Sequence, residues 1–210
     1  MIDIQRNKEK FLSYCRTHIK REGLESLLSF LESSDFFEAP SSCNYHGNYK
    51  GGLCEHSLNV FEVCKDLYEK IIKPYESLER TNYGNSSITI ESIAIACLFH
   101  DLAKVNIYHE VQKWKKDEDT GQWVSYNSYK IQDNFPLPHA TKSLVIVLQH
   151  MKLTGHEMLA IQWHMGSADV SNMIDNSNKY AYQEALKVSP LVTLVAQADM
   201  MSSFLLEKQI

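Results

Sequence analysis

The segment Ile93-Ala94-Ile95-Ala96-Cys97-Leu98-Phe99 is apolar without interruption and ends in the adjacent pair His100-Asp101. A helix that is apolar on every face has to lie inside the molecule, so the other elements must assemble around this one. The pair at its end is then expensive, because an unpaired carboxylate buried beside an imidazole costs several kcal/mol. A cation removes that cost. It takes the imidazole nitrogen and the carboxylate oxygen together, and its charge keeps Asp101 ionised.

Further ligands of the same chemistry are spread along the chain. His56 follows Gly51-Gly52-Leu53-Cys54-Glu55, His139 follows Leu137-Pro138, His164 follows Ile161-Gln162-Trp163, and Asp199 lies in Val195-Ala196-Gln197-Ala198-Asp199-Met200. Each sits in or beside an apolar helical pattern. Imidazole with carboxylate suits iron, manganese, zinc, nickel or cobalt, with magnesium possible where oxygen ligands dominate. Four histidines and two aspartates suffice for two ions sharing a carboxylate bridge. A single histidine on an apolar helix face is more often a satisfied core residue, and the weight rests on all six together. His18, His109, His150 and His156 fall on polar faces or turns and are expected to be solvated.

In order and context, His56, His100-Asp101, His139, His164 and Asp199 resemble the HD-domain metal-dependent phosphohydrolases, over about Phe36 to Ser203. His100-Asp101-Leu102-Ala103-Lys104 matches the extended His-Asp-x-x-Lys form, and His139-Ala140-Thr141-Lys142-Ser143 matches a His-x-x-x-Ser element. The stretch from Tyr45 to Leu53 before His56 is similar to a loop of HD proteins that act on RNA 3′ ends and of related hydrolases. One departure is that Met165 follows His164 and no Gly-Tyr-Pro occurs, which counts against a cyclic dinucleotide as substrate. The resemblance implies a compact all-α helical bundle whose six matching residues bind one or two divalent ions. It also implies hydrolysis by a metal-activated water, with Asp101 bridging both ions. Lys104 is then placed to neutralise charge developing on a phosphate, and His46 to touch a leaving group or phosphate. Lys50 and Lys142 are weaker phosphate candidates, for which a surface position is expected.

Bulk properties agree with a single domain spanning residues 1–210, its core at about 36–203 and the first 35 residues packing on it as helices. A net charge of −5 argues against a protein that coats nucleic acid and against a duplex partner. It leaves room for a nucleotide, another small phosphoester or a short RNA. No apolar run approaches membrane-spanning length, and Met1-Ile2-Asp3-Ile4-Gln5-Arg6 is no signal peptide. The five cysteines are odd in number and lack Cys-x-x-Cys spacing, so a reducing cytoplasm is expected and metal ligation by Cys54 or Cys97 is not.

Patterning predicts helices over Asp3 to about Arg21, Leu24 to about Ser33, Glu55 to about Tyr75, a segment capped by Ser87 or Thr89 that ends at His100, and Ser143–Met151. Further helices follow: one opened by the capping box Thr154-Gly155-His156-Glu157, then 179–188, and a last one begun by Ser189 and Pro190. Gly23 suits a left-handed cap on the first helix. Leu58, Phe61, Leu67 and Ile71 are inward candidates of the third. Residues 38–53 and 78–87 read as loops. From Val111 to Ile131 the period changes to that of a β-hairpin around Asp119-Thr120-Gly121, a lid or an oligomer contact. Tyr45, Tyr49, Tyr83, Tyr180 and Tyr182 are candidates for stacking on a base, although tyrosines this numerous are usually packing.

The expected activity is therefore cleavage of a phosphoester in a nucleotide or short oligonucleotide, with a 3′-5′ exoribonuclease-like variant of it. A di-iron oxygenase using the same ligands is the alternative of a different class. A non-catalytic nucleotide sensor is disfavoured because all six ligands are intact.

Overall fold

Thr89 accepts a hydrogen bond from the Ser92 amide at 3.0 Å and so caps the helix Ile90–Phe99. Every side chain from Ile93 to Phe99 in that helix is buried. The computed structural model of the chain describes residues 3–75, 88–166 and 176–207. Its helices are α1 (Ile4–His18), α2 (Leu24–Ser33), α3 (Gly52–Leu67), α4 (Ile90–Phe99), α5 (His139–Leu148), α6 (Gly155–Gln162), α7 (Asn176–Val188) and α8 (Pro190–Met201). Between α4 and α5 the strands β1 (Tyr108–Lys116) and β2 (Trp123–Ile131) pair antiparallel, from Tyr108 opposite Ile131 to Lys116 opposite Trp123. The architecture is the expected one, mostly helical with one hairpin.

Helix α4, apolar throughout from Ile93 to Phe99, is the axis of the bundle and packs against α1, α3, α6 and α8. Phe11 and Cys15 of α1, Leu27 and Leu28 of α2, Phe61 of α3 and Val195 of α8 close on it in one continuous core. Each fully buried large apolar side chain contributes about 1.5–3 kcal/mol, so this assembly is what holds the helix ends near His100 in place. No single helix among the described residues is long and apolar enough to cross a membrane.

Several boundaries differ from those read in the sequence. The first helix stops at His18, and left-handed Gly23 (φ 93°) opens α2 instead of closing α1. The third begins three residues early, at Gly52. Beyond Leu67 it relaxes into a wider π-type turn, which rotates the inward face and leaves Ile71 53 % exposed. The fifth begins at His139, on Pro138, rather than at Ser143. The capping box is present as expected, with Thr154 and Glu157 bonding reciprocally. Ser189 precedes Pro190 as expected, but its hydroxyl makes no cap bond. His150 is not merely solvated: its ring lies against Phe30 and meets the Ser26 hydroxyl at 2.8 Å. The expected loop 78–87 and Tyr83 lie outside the described residues.

The Gly51-Gly52 pair has a steric cause. Gly51 is left-handed (φ 87°), and a side chain on Gly52 would meet the Gly47 carbonyl oxygen at 2.2 Å. That carbonyl already accepts from the Ser41 and Tyr49 amides. The loop can therefore fold back over the start of α3 only where Gly52 has no Cβ, and His56 lies one turn further on.

Candidate metal centre

Four of the predicted ligands are placed by local devices. His100 and Asp101 occupy the turn that ends α4, and His164 the turn after α6, so their side chains leave the helices where carbonyls lack amide partners. His100 Nδ1 donates to the Cys97 carbonyl and His164 Nδ1 to the Ile161 carbonyl, both at 2.7 Å. A carbonyl only accepts, so the proton is on Nδ1 and the Nε2 lone pair faces inward in both rings. His139 opens α5, and Ser143 one turn along accepts the Ala103 amide at 2.9 Å, which ties α5 to the turn after Asp101. The His-x-x-x-Ser spacing follows from those two contacts.

The six side chains converge. His56 Nε2 lies 3.1 Å from His100 Nε2, 3.2 Å from Asp199 Oδ1 and 3.5 Å from Asp101 Oδ2. His100 Nε2 is 3.4 Å from the same Asp101 Oδ2. The other Asp101 oxygen, Oδ1, faces His139 Nε2 at 2.6 Å and His164 Nε2 at 3.5 Å. One carboxylate thus presents Oδ2 toward His56 and His100 and Oδ1 toward His139 and His164, within one continuous cluster: the His100 and His164 rings are 4.8 Å apart, and these two histidines also form a possible ligand group with Asp199. His139 is 32 % exposed at its side chain, so the cluster opens to solvent on that side, while His56, His100, Asp101 and His164 are buried.

Lys104 Nζ approaches Asp101 Oδ2 at 2.6 Å with its side chain 15 % exposed, inside the site and not solvated at a helix end. His46 also joins: its ring lies 5.0 Å from that of His56, and its Nε2 is 3.3 Å from the Ser203 hydroxyl. Lys50 pairs with Glu38 at the surface. Lys142, expected at the surface, is buried and paired with Asp133 at 2.6 Å, because α5 turns that side inward. Cys54 and Cys97 are buried free thiols outside the ligand clusters. Tyr49 donates to Glu55, and Tyr182 packs on Trp163.

Glu207 is a member of the site that patterning does not reveal. After α8 a π-type turn over Ser202–Leu206 folds the chain back, and Glu207 Oε1 accepts from His56 Nδ1 at 2.9 Å and from Asn59 at 3.2 Å. Nothing in the local sequence marks it, since Phe204-Leu205-Leu206 before it are exposed. A carboxylate behind a ligating imidazole fixes its tautomer and raises its basicity. Glu207→Ala is expected to weaken metal affinity about 10- to 100-fold, and Glu207→Gln, which keeps an acceptor, much less. Calorimetric titration with manganese checks this, and equal affinity of all three proteins would show that Glu207 is not coupled to His56.

The electrostatics fit a cation. Burial pushes the His56 imidazole down, but Asp199 and Glu207 on either side outweigh it and push its pKa up to about 10. Burial also opposes ionisation of Asp101, yet Lys104 and the bonds from His100 and His139 hold it well below the usual carboxylate range. Burial lowers His100. Among the described residues the buried Nε2 of His164 has no hydrogen-bond partner, and a lone pair aimed at a carboxylate suits a metal. With its pKa raised, His56 carries a proton on Nε2 throughout the neutral range, and a metal must displace it. Metal affinity is therefore expected to rise with pH, about tenfold per unit for one proton released. Titrations from about pH 6.5 to 8 in buffers of different ionisation enthalpy count that proton, and a pH-independent affinity would contradict the assignment.

A protein-family model described as HD domain matches residues 53–202, a span that contains all six candidate ligands. The chain belongs to the HD-domain family. Comparison with curated proteins and with solved structures gives no match. HD domains form a superfamily of metal-dependent hydrolases, mostly phosphohydrolases, that bind divalent metals, and the buried His/Asp cluster of this HD domain fits such a site.

Proposed function

We propose that this HD domain cleaves a phosphoester in a nucleotide or short oligonucleotide, with one or two divalent ions that His56, His100, Asp101, His139, His164 and Asp199 would hold and that would supply an acidified water. The observation that carries the reading is the division of Asp101, with Oδ2 toward His56 and His100 and Oδ1 toward His139 and His164. His56, His100, Asp101 and Asp199 form one donor set, and Asp101, His139 and His164 the other. Imidazole-rich sets of this kind suit iron, manganese, zinc, cobalt or nickel better than magnesium. When bound, such ions supply Lewis acidity toward a phosphoryl oxygen and acidify a water, so no protein nucleophile is required.

The chain's own residues do the rest. Glu207 and the Cys97 and Ile161 carbonyls hold three imidazoles in the ligating tautomer. Lys104 brings a positive charge to the partly exposed rim, where it offsets negative charge growing on the phosphoryl group. His46, whose ring lies 5.0 Å from that of His56, would act on the departing group. A substrate would enter from the side of His139, whose side chain is 32 % exposed. We also read residues 1–210 as one unit, since α1 and α2 share the core of the HD helices, and as cytoplasmic, since all five cysteines are unpaired.

Elemental analysis joined to a hydrolysis panel of nucleotides and aryl phosphodiesters with each metal tests the reading. His139→Ala and His164→Ala are expected to lower the metal content from two ions toward one and to slow hydrolysis. A metal-replete wild-type protein that releases no phosphoester product, or an iron-loaded one that only consumes oxygen, would overturn it.

A further inference from the structure

Only one oxygen of Glu207 is bonded. Its Oε1 accepts from His56 Nδ1 at 2.9 Å and from Asn59 Nδ2 at 3.2 Å. Its Oε2 is buried and, among the described residues, has no hydrogen-bond partner. His46 Nε2 lies 4.0 Å from that oxygen, too far for a hydrogen bond. The same nitrogen meets the Ser203 hydroxyl at 3.3 Å, a contact long enough to yield to a stronger one. A buried carboxylate oxygen left in this way costs free energy until a positive group meets it.

Both residues are anchored through other atoms. The Ser41 and Ser42 hydroxyls donate to the His46 carbonyl at 2.7 and 2.9 Å, and left-handed Gly47 after it packs so closely that a side chain there would meet Ser41 Oγ at 2.0 Å. The Glu207 amide donates to the Ser202 carbonyl at 3.1 Å, which closes the π-type turn. His46, His56 and Glu207 bring one donor atom each within 4.8 Å of one another. The His56 ring serves the two places with different nitrogens, Nε2 toward His100 and Asp199 and Nδ1 toward Glu207. His46 and Glu207 lie outside residues 53–202, the span that matches the family model, and belong to neither donor set at Asp101.

We propose that His46 Nε2 and Glu207 Oε2 form a further divalent-cation site, adjacent to the Asp101 centre and separate from it. Bonds of about 2.0–2.2 Å to imidazole and to carboxylate let one ion span a gap of 4.0 Å. One imidazole with one carboxylate suits manganese, zinc or iron, and so few protein ligands leave positions open to water or to a phosphate oxygen. The site is therefore weaker than the centre, where more protein ligands converge, and it fills only when metal is supplied in excess. Binding of the ion needs no catalysis. Only its use, as a positive charge near the departing group, rests on the phosphohydrolase reading.

Equilibrium dialysis of the full chain against increasing manganese counts the bound ions, with far-UV circular dichroism on the same samples as a check of the fold. The wild type is expected to saturate with one ion more than His46→Ala or Glu207→Gln. The ion lost is the weakest of the wild type, and the tighter ones keep their number. Glu207→Gln retains an acceptor for His56 Nδ1 and nearly the same shape, so it covers the case in which His46→Ala disturbs its loop. Dialysis of the loaded wild type back into metal-free buffer should remove this ion first.

Equal saturation of all three proteins would assign the gap to a bridging water and overturn the proposal. Loss of the ion in only one of two folded variants also overturns it, because both ligands are required. So does loss of a tight ion in place of the weak one, which would assign both residues to the Asp101 centre. Turnover of a small aryl phosphodiester by the wild-type protein with manganese is run alongside. No turnover with the extra ion counted strikes the phosphohydrolase reading alone, whereas turnover with equal counts strikes this site alone.

Discussion

Asp101→Ala is expected to lose metal and phosphoester hydrolysis together while keeping its helices. Its carboxylate is the one group in both donor sets, with Oδ2 near His56 and His100 and Oδ1 near His139 and His164. A metal's Lewis acidity is worth several kcal/mol of transition-state stabilisation. At about 1.4 kcal/mol per factor of ten, the loss is on the order of 10³-fold or more in rate. The helices should survive, because what Asp101 touches is the site and not the apolar core, and Lys104 is already partly exposed. Asp101→Asn keeps the shape and removes the charge, and it should fail for the same reason. Metal content, hydrolysis rate and far-UV circular dichroism are measured on the same samples. A variant with native metal content and native turnover would remove Asp101 from the centre.

The second large effect lies away from the metal. Arg21, in the link between α1 and α2, donates to both Glu157 oxygens, to Glu91 at 3.1 Å and to the Lys152 carbonyl at 3.2 Å. Glu157 is fully buried and also accepts from the Thr154 amide and the Ser92 hydroxyl, both at 2.8 Å. These bonds lock the starts of α2, α4 and α6 together. Arg21→Met leaves a buried carboxylate without its counter-charge, at a cost of about 3–5 kcal/mol. In a chain of 210 residues this corresponds to a fall in Tm of roughly 10 °C.

The pH dependence should differ in sign between the two proteins. In the wild type, burial pushes the Glu157 carboxyl up, but the bonds from Arg21, Thr154 and Ser92 outweigh it and hold the carboxyl below its ordinary value of 4.5. Its contribution to stability is therefore present in full above that value and lost as pH falls from it through the lower folded-state value. In Arg21→Met the burial is unopposed by a charge, the carboxyl ionises later, and acidification toward neutral Glu157 should raise the Tm. Melts between about pH 4 and 8 test this, and an unchanged Tm with an unchanged profile would show that the pair does not hold the bundle.

Much of the fold was legible because its determinants are local. The apolar run from Ile93, the Thr89 cap and the Thr154–Glu157 capping box act within four residues and appear where expected. The hairpin was legible from its alternation and from Gly121, which is left-handed at φ 69°. Errors fell where a distant contact overrides a local preference. Gly23 suits the end of α1 by its local sequence, but His150 lies so close that a side chain there would meet its carbonyl oxygen at 2.0 Å, and the chain turns directly into α2. Ile71 followed the inward period of α3 until the helix widened.

By itself the sequence determined which residues have the chemistry to bind a cation and that His56, His100-Asp101 and His164 belong at helix ends, whereas Asp199 reads as mid-helix, since helix periodicity and capping set both over a few positions. Only the tertiary structure decided how those ends face one another. It turned the two Asp101 oxygens to different imidazole pairs, buried Lys142 against Asp133, and set Glu207 behind His56 across a separation of 151 residues. Such distances follow from how helices pack around α4, a summed effect of many apolar contacts that no short stretch of chain encodes.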